Sequence, residues 1–94
     1  MKFSELINKD IYVETLKVGT IRDVIVDAEE WKVTHFEIQL TKEASKEFLG
    51  ANKSFRNVLA ISAVGPASKS MINSNRIDIV QVSRGQLRIY LRPP

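Results

Sequence analysis

Cysteine is missing from this chain of 94 residues, and histidine occurs only once, as His35. The lack of cysteine excludes disulfides and thiol nucleophiles, and it fits the reducing cytoplasm. A single histidine cannot join a cluster of histidine metal ligands. The four glycines are spread along the chain and form no phosphate-binding loop. We therefore expect no metal site and no cofactor.

Long apolar runs are also missing. No stretch approaches the ~18 apolar residues that cross a bilayer, and the first residues lack the apolar centre of a signal peptide. The apolar share of 44% and the charged share of 27% are typical of an ordinary folded protein. These features predict one cytoplasmic domain spanning residues 1–94. So small a domain has a thin core, which favours association with another chain.

The two halves of the chain differ in charge. Residues 1–50 have a net charge of −3, and residues 51–94 have a net charge of +6. If the two charges were separate in space, they would favour head-to-tail self-association or contact with an acidic partner or nucleic acid. A separation in sequence is not a separation in space, so we expect the charges to interleave on one surface.

The middle of the first half predicts a β-hairpin. Residues 18–27 are rich in β-branched side chains, and residues 32–40 alternate between apolar and polar. Asp27 suits the turn between them because its side chain can bond to backbone two residues on. In the second strand Phe36, Ile38 and Leu40 share one face.

The rest of the chain predicts one short helix and further strands. Thr41 is a suitable N-cap for a helix over residues 41–49, and Gly50 is suited to end it. Alternating patterns indicate other strands, which lie at residues 11–14, 57–61, 76–83 and 86–92. We therefore predict an all-β dominated fold, a small barrel or sandwich of about six strands with one short helix.

The opening of the chain resembles the PRC-barrel family. The resemblance lies in LINKDIYV at residues 6–13, VGTIRDVIVD at 18–27 and KVTHF at 32–36, and it extends more weakly to VLAISAVG at 58–65. Gly19, Asp23 and Asp27 fall where the family has its glycine and its two aspartates. The chain departs from the pattern at residues 15–17, which lack the usual glycine, and after Gly65, where proline follows. The resemblance implies a small PRC-type β-barrel.

The same resemblance implies a non-enzymatic adaptor that docks other proteins. The chain looks most like stand-alone archaeal PRC-barrel proteins of the CdpB type. Some of these act with the FtsZ division ring through its membrane anchor SepF and through other PRC-barrel proteins. The expected partners are therefore a second copy, a paralogous PRC-barrel protein or SepF, with recruitment to the division site. We expect exposed sheet edges and the last strand, about residues 86–92, to make the contact.

A second implied function is RNA binding, because the opening also resembles the PRC domain of the ribosome maturation factor RimM. Arg88, Tyr90 and Arg92 would share one face of the last strand, and basic and aromatic side chains suit phosphate contact and base stacking. The alternative is an ordinary solvated face, with Leu87, Ile89 and Leu91 turned inward. The residues that we expect at a partner or dimer interface are Trp31, Leu87, Arg88, Ile89, Tyr90, Leu91 and Arg92. For Trp31, which lies beside a turn in an acidic stretch, the alternative is packing over one end of the barrel.

Catalysis is the least supported function. Asp23 and Asp27 lie four residues apart and would share a strand face. Paired carboxylates suit acid–base or metal chemistry, but no third ligand is evident nearby. His35 has no visible partner that would make it a general base. We expect surface and turn-forming roles for these residues.

Overall fold

The computed structural model describes residues 2–65 and 75–93. In order along the chain, its elements are a 3₁₀ helix Phe3–Glu5, β1 Asp10–Val13, β2 Leu16–Asp27, β3 Lys32–Leu40, α1 Lys42–Leu49, β4 Arg56–Ala60, α2 Ile61–Val64, β5 Arg76–Ile79 and a second 3₁₀ helix Arg84–Tyr90.

The strands form one mixed sheet in the order β4-β3-β2-β1-β5. β5 runs parallel to β1, and the other neighbours are antiparallel. The predicted hairpin is confirmed as β2 and β3. The carboxylate of Asp27 accepts hydrogen bonds from the backbone of Glu29 and Glu30, at 2.8 and 3.1 Å, as expected of a turn cap.

The helix α1 is confirmed together with both of its caps. Thr41 Oγ1 accepts a hydrogen bond from the Ala44 backbone N–H at 3.1 Å. The same hydroxyl donates to the Lys17 carbonyl at 2.9 Å, which fastens the start of the helix to β2. Gly50 ends the helix with φ of 67°, in the left-handed conformation that glycine adopts without strain.

The core lies between one face of the sheet and the helical segments. The predicted inward face of β3 is confirmed, since Phe36, Ile38 and Leu40 are at most 4% exposed. The other buried apolar side chains are Ile11, Val13, Val18, Ile21, Ala44, Phe48, Leu59, Ala63, Val64, Ile77, Ile79, Leu87 and Leu91.

β2 comes very close to β3 at Gly19. A Cβ atom there would lie 2.5 Å from the Gln39 carbonyl oxygen, so only glycine fits without moving the backbone. The pairing of β2 with β1 shifts register beside this residue, and its pairing with β3 shifts again between Ile21 and Asp23. These irregularities agree with the bulge or bend expected from a glycine inside a strand.

The turn between β1 and β2 contains a residue with a left-handed backbone. Glu14, at the turn between β1 and β2, adopts a left-handed backbone with φ of 55°. A non-glycine residue accepts this conformation at some cost in strain.

The prediction of a strand at residues 86–92 is wrong. Residues Arg84–Tyr90 form a 3₁₀ helix, and only Leu91 makes a β-bridge, to Leu59 of β4. The helix starts with a capping box, in which the backbone N–H of Ser83 donates to Gln86 Oε1 at 3.0 Å. This local bonding overrides the alternation of Leu87, Ile89 and Leu91.

The strand-rich fold is confirmed, but the closed six-stranded barrel is not. Within residues 2–65 and 75–93 there are five strands, and their sheet does not close on itself. The segment predicted as the sixth strand is helical and contributes a single bridge. The predicted strand 76–83 ends at Ile79, and α2 was not foreseen. The break predicted at Gly65-Pro66 falls partly outside the described residues, which resume at residue 75.

Candidate protein-docking surfaces

The turn between β2 and β3, which we call the hairpin tip (residues 27–32), exposes Trp31. The side chain of Trp31 is 83% exposed. Its backbone has φ of 55°, and its N–H donates to the Asp27 carbonyl at 2.7 Å. The tip is therefore ordered by its own hydrogen bonds, and it presents a large aromatic ring to solvent.

Carboxylates precede Trp31 in the sequence of the tip. Glu29 and Glu30 are exposed, and Glu30 pairs with Lys32 at 2.8 Å. Lower on β2, the side chains of Ile25 and Val26 are each 36% exposed. The hairpin tip thus combines an apolar anchor with negative charge, which is a combination suited to a binding surface.

A second surface is the C-terminal groove, a depression between the end of α1 and the C-terminal segment. Its volume is about 690 Å³. Its apolar part comprises the nearly buried Phe48 and Leu91 together with Leu49, Ile89 and Pro93. Ile89 is 73% exposed and therefore adds apolar surface at the solvent side of the groove.

The charged side chains around the groove are Lys46, Glu47 and Arg88. Glu47 is already engaged, because Arg84 binds both of its oxygens, with Nε to Oε2 at 2.6 Å and Nη2 to Oε1 at 2.5 Å. Lys46 and Arg88 make no ion pair within the described residues. The rim of the groove therefore has cationic character.

The contact between Arg84 and Glu47 also ties the C-terminal segment to α1. Hydrogen bonding to Arg84 holds the pKa of the Glu47 carboxyl below its usual value, and it outweighs a small opposing effect of burial. The same hydrogen bond raises the pKa of Arg84. The Arg84 backbone N–H also reaches Glu14 Oε2 at 3.3 Å.

Asn57 holds the other end of this segment, and the sequence carried no signal for it. Its side chain takes the place of a paired strand. Oδ1 accepts a hydrogen bond from the Arg92 N–H, and Nδ2 donates a hydrogen bond to the Arg92 carbonyl, each at 2.9 Å. Asn57 is only 6% exposed, so these bonds form in a nearly dry position. They place Leu91 against β4.

The residues predicted at an interface divide into two groups. Leu87 and Leu91 are core residues of the single chain, 0% and 6% exposed, and Leu91 also lines the C-terminal groove, so their part in a contact stays a prediction. Trp31, Arg88, Ile89 and Arg92 are exposed, and Tyr90 is half-buried. The predicted common face of Arg88, Tyr90 and Arg92 does not form. A 3₁₀ helix aligns residues three apart, whereas a strand aligns residues two apart.

The charges of the two halves interleave, as expected. Glu37 on β3 pairs with Arg56 on β4, and Glu47 pairs with Arg84. Each pair joins an acid of the first half to a cation of the second. The basic excess of the second half is therefore partly neutralised within the fold.

The comparisons with known proteins give one family. The model of the PRC-barrel domain matches residues 1–62. The chain belongs to the PRC-barrel family. The search of curated proteins returns no match.

The two surfaces of this PRC-barrel protein relate differently to the family match. The hairpin tip lies inside the matched residues 1–62. The groove has one wall on α1, within the match, and another at residues 88–93, beyond it. The groove is therefore built jointly by the family domain and by a segment outside the matched region.

Two further features concern the same described residues: clusters of metal-binding side chains and helices long enough to span a membrane. Across 2–65 and 75–93, no three His, Asp or Glu side chains lie grouped so as to hold a metal ion. In that part of the chain, no helix has the length and apolar character required to cross a membrane. Asp23 accepts a hydrogen bond from the Val24 backbone at 2.7 Å, and His35 Nδ1 lies 3.0 Å from Thr34 Oγ1. Both contacts are local.

Proposed function

We propose that this PRC-barrel protein is a non-enzymatic adaptor that docks other proteins. The observation that carries the proposal is the C-terminal groove, a depression lined by apolar and charged side chains in which Ile89 is 73% exposed. Exposed apolar surface edged by charge is typical of protein-binding sites.

The finer proposal is a role in archaeal cell division based on FtsZ and SepF. Its support is the resemblance of the opening motif to stand-alone archaeal PRC-barrel proteins of the CdpB type, which is an argument by analogy. The partners would be SepF, a second copy or a paralogous PRC-barrel protein. The protein would act in the cytoplasm and be recruited to the division site by these partners.

The experiment is a binding titration of purified protein against purified SepF and paralogous PRC-barrel proteins of the same cell. The test variant is Ile89→Asp, and the matched control is Val80→Asp, since Val80 is 79% exposed and does not line the groove. We expect Ile89→Asp to lower the affinity at least tenfold, which is a loss of about 1.4 kcal/mol or more in binding free energy. The control should lose little affinity. Equal affinity of both variants would reject the groove as the docking site.

Point substitutions test the groove more specifically than deletion of residues 84–94 does. Leu87 and Leu91 belong to the core, so their deletion would destabilise the domain and abolish binding for a trivial reason. Ile89 points to solvent, so its substitution leaves the core intact.

RNA binding is the second candidate function. Arg88 and Arg92 are exposed and make no ion pair within residues 2–65 and 75–93, so both can contact phosphate. Affinity for a ribosomal RNA fragment should then fall steeply with salt. Substitution of both arginines by alanine should remove most of the binding, and unchanged binding would reject this function.

A further inference from the structure

The hairpin tip and the C-terminal groove are complementary surfaces on the same chain. The tip offers Trp31, a ring of the size and type that most often anchors protein interfaces. The groove offers an apolar floor formed by Phe48, Leu49 and Leu91. Because Trp31 is 83% exposed, the ring does not occupy the groove of its own chain.

The groove is large enough for the tip. Its volume of about 690 Å³ falls within the range of roughly 300–1,000 Å³ for pockets that enclose a whole ligand. This volume leaves room for an indole ring in the open depression, where the ring would cover the exposed face of Ile89. Burial of both side chains would remove two of the most exposed apolar groups from water.

The charges match as well. Three carboxylates lie in the tip, on Asp27, Glu29 and Glu30, and one of them is paired with Lys32. The groove has Lys46 and Arg88, while its own acid Glu47 is held by Arg84. An approaching tip meets available cations and a carboxylate that is already compensated, which favours this orientation.

From these features we infer that the hairpin tip of one copy inserts Trp31 into the C-terminal groove of a second copy. The inference deepens the proposed adaptor function by naming a partner and the surfaces in contact. The two surfaces differ, so the contact is heterologous: each copy keeps one free tip or groove, and assembly continues into a ring or a filament. A turn in a groove buries little area, so we expect weak binding, with a dissociation constant of roughly 1–100 µM.

Trp31 is the only tryptophan and therefore reports directly on this contact. We expect its fluorescence emission to shift to shorter wavelength as the protein is concentrated through the micromolar range, together with a rise in mass by light scattering. A monomer with solvent-exposed emission at all concentrations would overturn the inference.

Mixing two variants distinguishes this contact from any other self-association. Trp31→Asn keeps the groove and suits the left-handed backbone of that position. Ile89→Asp keeps the tip. Each variant alone should be monomeric, with self-association weakened at least about tenfold, whereas an equal mixture should form a dimer and stop there. Val80→Asp should assemble like the unmodified protein.

Two results would contradict the head-to-tail contact. One is assembly of either variant alone to the unmodified mass, and the other is a mixture that stays monomeric although both variants are folded by circular dichroism. A loss of assembly only in Ile89→Asp would show that the groove takes a segment other than the tip, which also overturns the inference.

The outcome separates this inference from the adaptor function on which it rests. Binding of SepF or of a paralogous protein is measured with Trp31→Asn, which has a free groove. If that variant binds a partner but the mixture does not dimerise, the adaptor function stands and the self-contact fails. If the mixture dimerises and no partner binds, the self-contact stands and the adaptor function fails.

The charges provide an independent test of the orientation. Arg88→Glu should weaken self-association, and Glu29→Lys should do the same. An equal mixture of Arg88→Glu and Glu29→Lys should recover part of the lost affinity, because one opposite-charge pair forms across the new contact. Two results would each contradict the proposed orientation: single variants that associate as strongly as the unmodified protein, or weakened single variants whose mixture recovers no affinity.

Discussion

The hairpin of β2 and β3 and the segment from Ser83 to Arg92 both show alternating apolar residues, yet only the first is a strand pair. In the hairpin, Phe36 and Ile38 of β3 each have a neighbouring strand on both sides, and both are buried in the core. The C-terminal segment has a helix-starting capping box and only one β-bridge. Alternation predicts a strand only where another strand is available to pair with it.

The largest expected effect distinguishes Leu87 from Ile89, two apolar positions that the alternating pattern treats alike. Leu87→Ala should lower the free energy of unfolding by about 3 kcal/mol, because Leu87 is fully buried. Ile89→Ala should change it by less than about 0.5 kcal/mol, because Ile89 lies in solvent. Urea denaturation at low protein concentration measures both changes in the free energy of unfolding. Equal losses would indicate the strand that alternation predicts.

A pair of glycines tests the close approach of the sheet against the open C-terminal segment. Gly19→Ala should destabilise by about 2–3 kcal/mol, since its Cβ would meet the Gln39 carbonyl at 2.5 Å. No atom lies within 4 Å of the place that a Cβ at Gly85 would take, so Gly85→Ala should leave the free energy of unfolding unchanged or raise it slightly. The readout is the midpoint of urea denaturation. A Gly19→Ala protein as stable as the unmodified one would contradict the tight packing of β2 on β3.

The attachment of the C-terminal segment to β4 depends on Asn57. Asn57→Ala should cost about 1–2 kcal/mol, because it leaves both backbone groups of Arg92 without their partner. Faster amide hydrogen exchange at Leu91 and Arg92 should accompany the loss. The control is Asn52→Ala, an exposed asparagine that should leave stability and exchange unchanged. Slow exchange that persists in Asn57→Ala would contradict the clamp.

The smallest expected effect is the pH dependence of the tie between Glu47 and Arg84. Folding lowers the pKa of Glu47 from a reference value of 4.5, so its stabilising effect is present above that value and is lost as pH falls through the lower folded pKa. Glu47→Gln should therefore be less stable than the unmodified protein at neutral pH. The difference should shrink in acid. Glu29→Gln, which makes no ion pair in the described part of the chain, should show no such pH-dependent gap.

How well the sequence predicted each element depended on how local its cause was. The bounds of β3, the Thr41 cap, the Gly50 end and the Asp27 turn follow from residues within a few positions of one another. The helical C-terminal segment also had a local signal, the spacing of Ser83 and Gln86, which was hidden by a stronger alternating pattern. The open sheet follows from that helix.

The candidate sites show the same division. Trp31 could be singled out from its place beside a turn, and the structure places it in solvent. The groove was not predicted, because its walls are 40 residues apart in sequence, at Phe48 and Arg88. Asn57 likewise acts on a residue 35 positions away. No local pattern reveals such contacts.

The sequence by itself determined the strand-rich class, the central hairpin with its turn, the helix α1 with its caps, and the PRC-barrel resemblance. These depend on side-chain period and on backbone preferences that act over a few residues. Only the tertiary structure decided which alternating segment became a strand, which of Leu87 and Ile89 went inside, and where α1 meets the C-terminal segment. Those outcomes depend on which distant surfaces are free to pack against one another, and a local pattern carries no such information.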